Sequence, residues 1–312
     1  MHRQRLLALA LSVLVVATVI AAVSTRPALA VGSQIRTFVA STGSDANPCS
    51  RVAPCRTFGA ALAQTASGGE IVALDSGGYG AVTISQAVTI VAAPGIQASI
   101  SPSSGAAITV DAGPGDVVVL RNLYLNAQGA TYGVLYLAAA ALHVENLVIN
   151  GFTSYGIFMN LTSASELYVA DTIVRNTGNG GISLSSGSGI ADVSIIRARI
   201  ENNYLGINVA SNVRASVKDT VASGNLYGFA ATSGSSPVEL NLEGCVASGN
   251  TVYGIYAYSS SSTATIRVSN CSVTGNGYGI LPDTNGSILS RGNNTVEGNT
   301  TNGTFSGSFA AK

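Results

Sequence analysis

The sequence predicts an all-β protein, a single-stranded right-handed parallel β-helix with three sheets and about ten coils. Three markers recur with one period of about 24 residues, which is the sign of a solenoid or a propeller. The first marker is a glycine followed by an apolar residue, at Gly133, Gly156, Gly181, Gly206, Gly228, Gly254 and Gly279. The second is a corner position, at Asn122, Asn146, Asp171, Arg197, Asp219, Gly244, Asn270 and Asn293. The third is an asparagine, at Asn150, Asn176, Asn203, Asn225, Asn250, Asn276 and Asn299.

The content of one period distinguishes the two repeat architectures. From Val238 to Glu243 apolar and polar residues alternate, a short apolar segment follows at Cys245, and a second alternating stretch begins at Ile255. Each period therefore holds three short strands and no segment of helix length. A propeller blade needs about 40 residues, and a leucine-rich repeat needs a leucine spacing and a helical return that are missing here. A three-sheet parallel β-helix remains.

The corner series is explained by backbone geometry. Its members are almost all Asn, Asp or Gly, the residue types that tolerate the left-handed region. One corner residue per coil must adopt that geometry, so stacked coils select the same residue types. Arg197 is the one exception.

The composition excludes several classes of protein. Hydrophobic residues make up 46% of the 312 residues and charged residues 10%, which is globular rather than disordered. Basic and acidic residues number 15 each, so nothing favours a nucleic-acid partner. The 36 glycines and the low charge are typical of short strands joined by tight turns.

Residues 1–30 are predicted to be a signal peptide. Arg3 and Arg5 precede an apolar run from Leu6 to Val23, and Ala28-Leu29-Ala30 suits a signal peptidase. The alternative is an uncleaved membrane anchor. The mature chain carries 12 basic and 15 acidic residues, a charge of −3. We expect it to be secreted or periplasmic, with no membrane contact after cleavage.

The four cysteines form two pairs. Cys49 and Cys55 lie in a turn-rich loop, which in an exported protein indicates a disulfide. Cys245 and Cys271 occupy equivalent positions in the repeat and are predicted to be stacked, buried thiols, with a second disulfide as the alternative. His143 is the only histidine of the mature chain, so we expect no metal, and nothing indicates a cofactor.

The start of the mature chain resembles secreted right-handed β-helix proteins of the pectin-lyase-like superfamily. The matching segments are Thr37-Phe38-Val39, Gly43-Ser44-Asp45, Pro54-Cys55-Arg56-Thr57-Phe58, Gly69-Glu70-Ile71 and Gly78-Tyr79. The resemblance implies a short helix from about Phe58 to Gln64 that caps the first coil. The predicted organisation is therefore a cap over residues 31–69, a β-helix over 70–299 and a tail over 300–312.

The predicted sheet that precedes the corner series carries most of the charge. Alternation sends its apolar residues inward. The outward side chains are His143, Glu145, Glu166, Tyr168, Asp192, Arg214, Lys218, Glu239, Glu243 and Arg267.

Two interpretations of this face remain open. In the first, Lys218 beside Glu243, and Asp192, Arg214 and Glu239 in line, are salt-bridge ladders that solvate the sheet. In the second, the face is a groove for an extended polysaccharide. Glu239 or Glu243 would then be the acid/base, and Arg214, Lys218 or Arg267 would hold a uronate. In a lyase, Arg214 or Lys218 would instead be the basic catalytic residue. The remaining weak candidates for ligand binding are His143, Glu145, Tyr168, Asp192 and Arg267.

The sheet after the Gly-apolar pairs carries no outward charge. Its outward residues include Leu135, Leu137 and Phe158, which could contact a partner. The tyrosines before the glycines predict a stacked structural ladder rather than a sugar platform, at Tyr132, Tyr155, Tyr227, Tyr253 and Tyr278.

The resemblance to the superfamily implies polysaccharide chemistry, but its catalytic motifs are missing. The Asn-Thr-Asp, Gly-His-Gly and Arg-Ile-Lys motifs of polygalacturonase-like enzymes do not occur, and the chain has no tryptophan. Glu239 and Glu243 would lie about 13 Å apart along one strand, too far for a glycosidase pair. We therefore expect a monomeric, non-catalytic exported protein that binds extracellular polysaccharide or a protein partner. The alternative is a divergent polysaccharide lyase or glycoside hydrolase.

Overall fold

The protein is represented by a computed structural model that describes residues 32–310. The predicted signal peptide, residues 1–30, lies outside the described residues. The described chain forms the predicted right-handed parallel β-helix, with three parallel sheets and one short helix.

From β2 to β30 each sheet collects every third strand along the chain, and β1 and β31 extend the two ends of sheet A. Sheet A comprises β1 (Gln34–Val39), β2 (Thr65–Ala73), β5 (Val88–Ala92), β8 (Val117–Arg121), β11 (Ala141–Glu145), β14 (Glu166–Ala170), β17 (Ala191–Ile196), β20 (Val213–Lys218), β23 (Val238–Glu243), β26 (Ala264–Ser269), β29 (Gly286–Ser290) and β31 (Gly307–Ser308). Sheet B comprises β3 (Gly77–Gly78), β6 (Ala98–Ile100), β9 (Leu123–Asn126), β12 (Val148–Asn150), β15 (Ile173–Arg175), β18 (Arg199–Glu201), β21 (Val221–Ser223), β24 (Val246–Ser248), β27 (Ser272–Thr274) and β30 (Thr295–Glu297). Sheet C comprises β4 (Val82–Ile84), β7 (Ala106–Asp111), β10 (Tyr132–Ala138), β13 (Tyr155–Leu161), β16 (Gly180–Ser186), β19 (Leu205–Val209), β22 (Tyr227–Ser233), β25 (Tyr253–Ser259) and β28 (Tyr278–Pro282).

The strands stack in register from coil to coil. Nine coils, from β2 through β28, contribute a strand to every sheet, in line with the predicted number of about ten. Equivalent residues are therefore Cα partners one strand spacing apart, about 4.8 Å. A side chain on one coil lies directly beside its counterparts on the two neighbouring coils.

A single helix, α1 (Phe58–Gln64), closes the N-terminal end as predicted. Thr57 caps it, because its hydroxyl oxygen accepts the backbone N–H of Ala60 at 3.2 Å. Phe58, Ala61 and Leu62 are buried against the first coil. The helix thus covers apolar surface that the first coil would otherwise expose.

Alternation along each strand produces the core. In β23 the inward residues Val238, Leu240 and Leu242 are at most 2% exposed, whereas Glu239 and Glu243 face outward. The same alternation in other coils lines up aliphatic side chains along the inside of the helix. Burial of these columns is the main favourable contribution to stability.

Left-handed corners occur where the second sequence marker predicts them. Positive φ angles of 50–64° are found at Asn122, Asn146, Asp171, Arg197, Asp219, Gly244 and Asn270. Arg197 adopts this geometry despite its long side chain, and its guanidinium binds both carboxylate oxygens of Asp171 at 2.7 Å. In the last coil the prediction is one residue off, because Gly292 takes the left-handed conformation at φ 90° instead of Asn293.

The third sequence marker combines three different positions of the coil. Asn176 is itself left-handed, at φ 57°, and equivalent to Asn202, whereas Asn203 is the next residue along the coil. Asn150 ends its strand on the outside and donates to Asn126 Oδ1 at 2.7 Å. Only the later members form a buried amide ladder, which runs through Asn203, Asn225, Asn250, Asn276 and Asn299. Asn176 lies one residue before the ladder position of its coil and Asn150 lies two residues before it, so neither joins the ladder.

The recurring glycines of the first marker are required by close packing of coils. A Cβ atom on Gly206 would lie 2.3 Å from the carbonyl oxygen of Gly228 on the next coil. The equivalent distance at Gly133 is 2.4 Å, to Gly156. None of these four glycines has a positive φ, so the requirement is space and not left-handed geometry.

The cysteines behave as the two predicted pairs. Cys49 and Cys55 form a disulfide in the loop that precedes α1. Cys245 and Cys271 are buried free thiols on adjacent coils, and the backbone N–H of Cys245 donates to the sulfur of Cys271 at 3.3 Å. A side-chain hydrogen bond with Cys271, together with burial, raises the pKa of the Cys245 thiol. Across residues 32–310, no helix has the length and hydropathy needed to cross a membrane.

Candidate functional site

The outer face of sheet A brings the predicted site residues into three columns. The strand register makes Asp192, Arg214 and Glu239 neighbours in the first column. Lys218 and Glu243 are neighbours in the third column. The middle column runs through His143, Tyr168, Ser194, Ser216, Asn241 and Arg267.

Most arginines on this face are engaged by carboxylates. Arg121 Nε lies 2.7 Å from Glu145 Oε2, and Arg267 Nη1 lies 3.2 Å from Glu239 Oε2. Arg214 Nη1 faces Asp192 Oδ1 at 3.5 Å. Of the predicted ladders, Asp192 and Arg214 form an ion pair, whereas Glu239 pairs with Arg267, and Lys218 lies in register with Glu243. Exposed pairs of this kind contribute little to stability individually.

The two glutamates that sequence reasoning proposed as acid/base residues are not brought together. Glu239 and Glu243 lie four residues apart on β23, on the same face. Glu239 contacts Arg267, and Glu243 is in register with Lys218 on the opposite edge of the sheet. This arrangement does not form a carboxyl pair.

The middle column contains an aromatic ring with one open face. Tyr168 stacks on His143 of the preceding coil, with ring centroids 4.6 Å apart and planes inclined by 17°. Its hydroxyl donates to Glu166 Oε2 at 2.8 Å, and this hydrogen bond raises the pKa of the phenol. On the following coil the neighbour is Ser194, so the second face of the ring is not covered by a large side chain.

A depression lies beside this open ring face. Ser194 and Ser216 follow each other in the middle column, and their small side chains leave a hollow of about 240 Å³. Tyr168 borders it on one side, and Asp192 and Arg214 border it on another. An aromatic surface, hydroxyl groups and an ion pair therefore converge on one open hollow.

A smaller notch adjoins this hollow at the edge of sheet A. Its volume is about 70 Å³, and Arg214 lines both cavities. Its other lining residues are Ile190, Asn212, Val213, Pro237 and Glu239.

Sequence reasoning found the charged members of this site but missed the neutral ones. Tyr168, Asp192, Arg214 and Glu239 were predicted and lie at the two cavities. The serines, and the apolar side chains of Ile190 and Pro237, were missed. Two features of the sequence could have indicated the neutral members. One is the pair of consecutive small residues in one outward column, and the other is the single short period of 22 residues between Gly206 and Gly228.

The other predicted residues lie elsewhere on the same face. His143 supports Tyr168 from behind, and Glu145 pairs with Arg121. Lys218 and Glu243 occupy the edge next to sheet B, away from the hollow. Arg267 is linked to the site through Glu239.

The outer face of sheet C carries the stacked tyrosines. Tyr227 and Tyr253 stack at 5.0 Å, and Tyr253 stacks on Tyr256 of its own coil at 4.7 Å. Tyr155 and Phe158 repeat the second arrangement at 4.7 Å. The rings cover each other, which fits the structural ladder that the sequence predicts.

A third depression lies at the corner between sheets A and B in the early coils. It measures about 220 Å³ and is lined in part by Gln97, Asn122, Tyr124 and Asn146. Two of these amides bond to each other, since Asn146 Nδ2 donates to Asn122 Oδ1 at 2.8 Å. None of the predicted site residues reaches this depression.

Metal binding has no support in the described part of the chain. Within residues 32–310, no three His, Cys, Asp or Glu side chains come together as a metal site would require. His143, the predicted lone imidazole, packs on Tyr168.

Comparison with known proteins identifies the same architecture. A family model described as a right handed beta helix region matches residues 132–301. Among solved structures, pectate lyase Pel9A is similar, with a TM-score of 0.62, 18% identity and coverage of 90% of this chain and 80% of that chain. A GH136 lacto-N-biosidase from Eubacterium ramulus is similar with a TM-score of 0.55, 12% identity and coverage of 89% and 67%. No curated protein matches the sequence. At these identities the solved structures establish the fold alone.

Proposed function

The chain belongs to the family of right-handed β-helix regions, and from this premise we propose that it binds a neutral extracellular polysaccharide on sheet A without cleaving it. The observation that carries the proposal is the open ring face of Tyr168 beside the hollow above Ser194 and Ser216. The two similar solved structures are named as carbohydrate-active enzymes, which supports a saccharide as the ligand class.

Tyr168 suits a saccharide because of its support and its neighbours. His143 holds the ring from one side, so little side-chain freedom is lost when a sugar stacks on the other. The apolar face of a pyranose fits an aromatic surface, and its hydroxyl groups can bond to the serines and to the ion pair at the rim. The hollow remains open along the face, as binding of an extended chain requires.

The charges favour a neutral ligand over a uronate polymer. Arg121, Arg214 and Arg267 each face a carboxylate within 4 Å. An acidic polysaccharide would have to compete with these carboxylates for the same guanidinium groups. A neutral chain needs no such exchange.

Cleavage has one structural argument in its favour. Glu166 and Asp192 are Cα partners on adjacent strands beside the hollow, which places two carboxyl groups near each other. However, Glu166 accepts the Tyr168 hydroxyl, and the side chain of Asp192 is 61% exposed beside Arg214. Burial, the usual means of keeping a catalytic acid protonated, is absent at Asp192. Binding without cleavage is therefore the better-supported function.

The disulfide supports an extracytoplasmic location. Disulfides form and persist in oxidising compartments, and Cys49–Cys55 closes a loop next to the cap helix. This fits the predicted signal peptide and an extracellular ligand.

The test is binding and turnover on a panel of neutral and acidic polysaccharides. We expect the mature protein to be retarded in gels that contain one neutral polysaccharide and to release neither reducing ends nor unsaturated uronates. Tyr168→Ala should weaken the binding roughly tenfold or more, because it removes the stacking surface. The melting temperature should stay unchanged, since Tyr168 is an outward residue.

Tyr124→Ala is the matched control, because Tyr124 and Tyr168 are both 39% exposed and lie on different sheets. Binding that weakens in Tyr124→Ala and not in Tyr168→Ala would place the ligand at the corner depression. Product release that disappears in Glu166→Gln or Asp192→Asn would show that the protein cleaves its ligand. Preference for an acidic polymer would contradict the neutral ligand.

A further inference from the structure

One short coil shapes the edge of the candidate site. The loop between β19 and β20 has three residues, 210–212, whereas the corresponding loops on the two neighbouring coils, 187–190 and 234–237, have four. Strand β19 is also shorter, with five residues against seven in β16 and β22. The loop and the strand together account for most of the short interval between Gly206 and Gly228, which is 22 residues against 25 and 26 for the adjacent intervals. The notch of about 70 Å³ lies at the shorter loop, between its two longer neighbours.

The notch has apolar walls. Ile190, from the preceding loop, is 50% exposed, and Pro237, from the following loop, is exposed as well. Val213 is buried behind them. An exposed isoleucine beside a hollow that Tyr168, Asp192, Ser194, Arg214 and Ser216 line is suited to contact an apolar group.

The mouth of the notch offers hydrogen-bond donors and disfavours an anion. A guanidinium carries five N–H donors, more than the single ion pair of Arg214 with Asp192 engages. Glu239 also lines the notch and would repel a carboxylate. The arrangement therefore suits a neutral group that has a methyl end and a carbonyl oxygen.

The volume of the notch suits a substituent of a sugar rather than a sugar ring. The notch is less than a third of the adjoining hollow, at about 70 Å³ against about 240 Å³. Because Arg214 lines both cavities, a ring seated on Tyr168 would have the notch within reach of its substituents.

We propose that the notch between Ile190 and Pro237 receives an acetyl substituent of the bound glycan, with its methyl group against the two apolar side chains and its carbonyl oxygen toward Arg214. The inference rests on the proposed function, since it assumes a neutral glycan on sheet A. The shared chemistry is the acetyl group, which can be an O-acetyl ester or an N-acetyl amide.

Calorimetry with matched neutral ligands tests the inference. One pair is an acetylated glucomannan and the same polymer after alkaline deacetylation. The other is a chito-oligosaccharide and a cello-oligosaccharide of equal length, which differ in an N-acetyl group on each ring. We expect the protein to bind the acetylated member of at least one pair about fivefold or more tightly, and the pair concerned identifies the ester or the amide.

Ile190→Ser should abolish this preference, so that the acetylated and unacetylated members of the pair bind with equal affinity. Ile35→Ser is the control, because Ile35 is also an exposed isoleucine and lies in β1, outside the site. Equal affinities within both pairs, together with binding that still depends on Tyr168, would overturn the acetyl notch and leave the proposed function standing. Absence of binding to every neutral glycan would overturn both. A preference that persists in Ile190→Ser would assign acetyl recognition to another part of the surface.

Discussion

Gly206→Ala is expected to lower the free energy of unfolding by about 3 kcal/mol, because there is no room for a Cβ atom at this position. The added atom would lie 2.3 Å from the carbonyl oxygen of Gly228 and 3.1 Å from the side-chain nitrogen of Asn225. The first contact is with backbone in a hydrogen-bonded coil, so relief requires the coils to separate. We expect the melting temperature in circular dichroism to fall by roughly 6–12 °C.

Gly234→Ala is the control for this substitution. No atom lies within 4 Å of the Cβ position at Gly234, and its φ is not positive. An alanine there should be neutral or slightly stabilising, because it restricts the unfolded chain. Equal melting temperatures for the two variants would show that the coils are not as closely packed at Gly206 as the structure indicates.

Asn250→Ala is expected to destabilise the protein by about 2–4 kcal/mol through loss of a buried amide. The Asn250 side chain donates to Ala222 O at 3.1 Å and to Asn276 Oδ1 at 2.8 Å. Its oxygen accepts the backbone N–H of Asn225 at 3.1 Å. Alanine would leave that buried N–H without its acceptor, which costs more than the loss of an exposed hydrogen bond.

Asn150→Ala tests the outer asparagine position, which recurs with the same sequence period as the buried amide ladder. Asn150 exchanges hydrogen bonds with Asn126 and Asn176 at the surface, where water can replace them. We expect a change within about 1 kcal/mol, measured by urea denaturation in parallel with Asn250→Ala. A cost at Asn150 as large as at Asn250 would mean that the two positions are equivalent, contrary to their burial.

The fold could be predicted from sequence because a solenoid repeats its constraints. Each coil must turn corners and bury one face of each strand, so the same residue types recur at Gly206, Gly228 and Gly254, and the period is visible without an alignment. The physical reason for those glycines was harder to see. Close approach of the next coil depends on contacts between residues about 25 positions apart, which periodicity alone does not describe.

The shift in the asparagine marker shows a limit of periodicity. Coils of 22 to 26 residues place equivalent positions only to within a residue or two. Asn176 and Asn203 fall 27 residues apart, yet one is a left-handed corner and the other a buried ladder member. A shift of one residue moves a side chain between the inside and the outside of the coil, so the period could not assign both.

The candidate site was predicted only in its charged part. Outward charges such as Arg214 and Asp192 stand out in a sequence that has only 10% charged residues. A cavity, however, forms where side chains are small, as at Ser194 and Ser216. Small residues are common throughout this chain, so they do not mark the position of a cavity. The hollow and the notch therefore became apparent only when the register placed small residues and short loops side by side.

The helix at the N-terminal end also has a consequence for how the protein is assembled. The cap and the first coil are complete once the chain has been made as far as β4, and each later coil pairs with the one before it. A newly made coil can therefore pair with a preceding coil that is already folded. It does not depend on contacts with residues far ahead in the chain. A chain organised in this way can fold in the order of its synthesis, one turn at a time, with the capped end as its starting point.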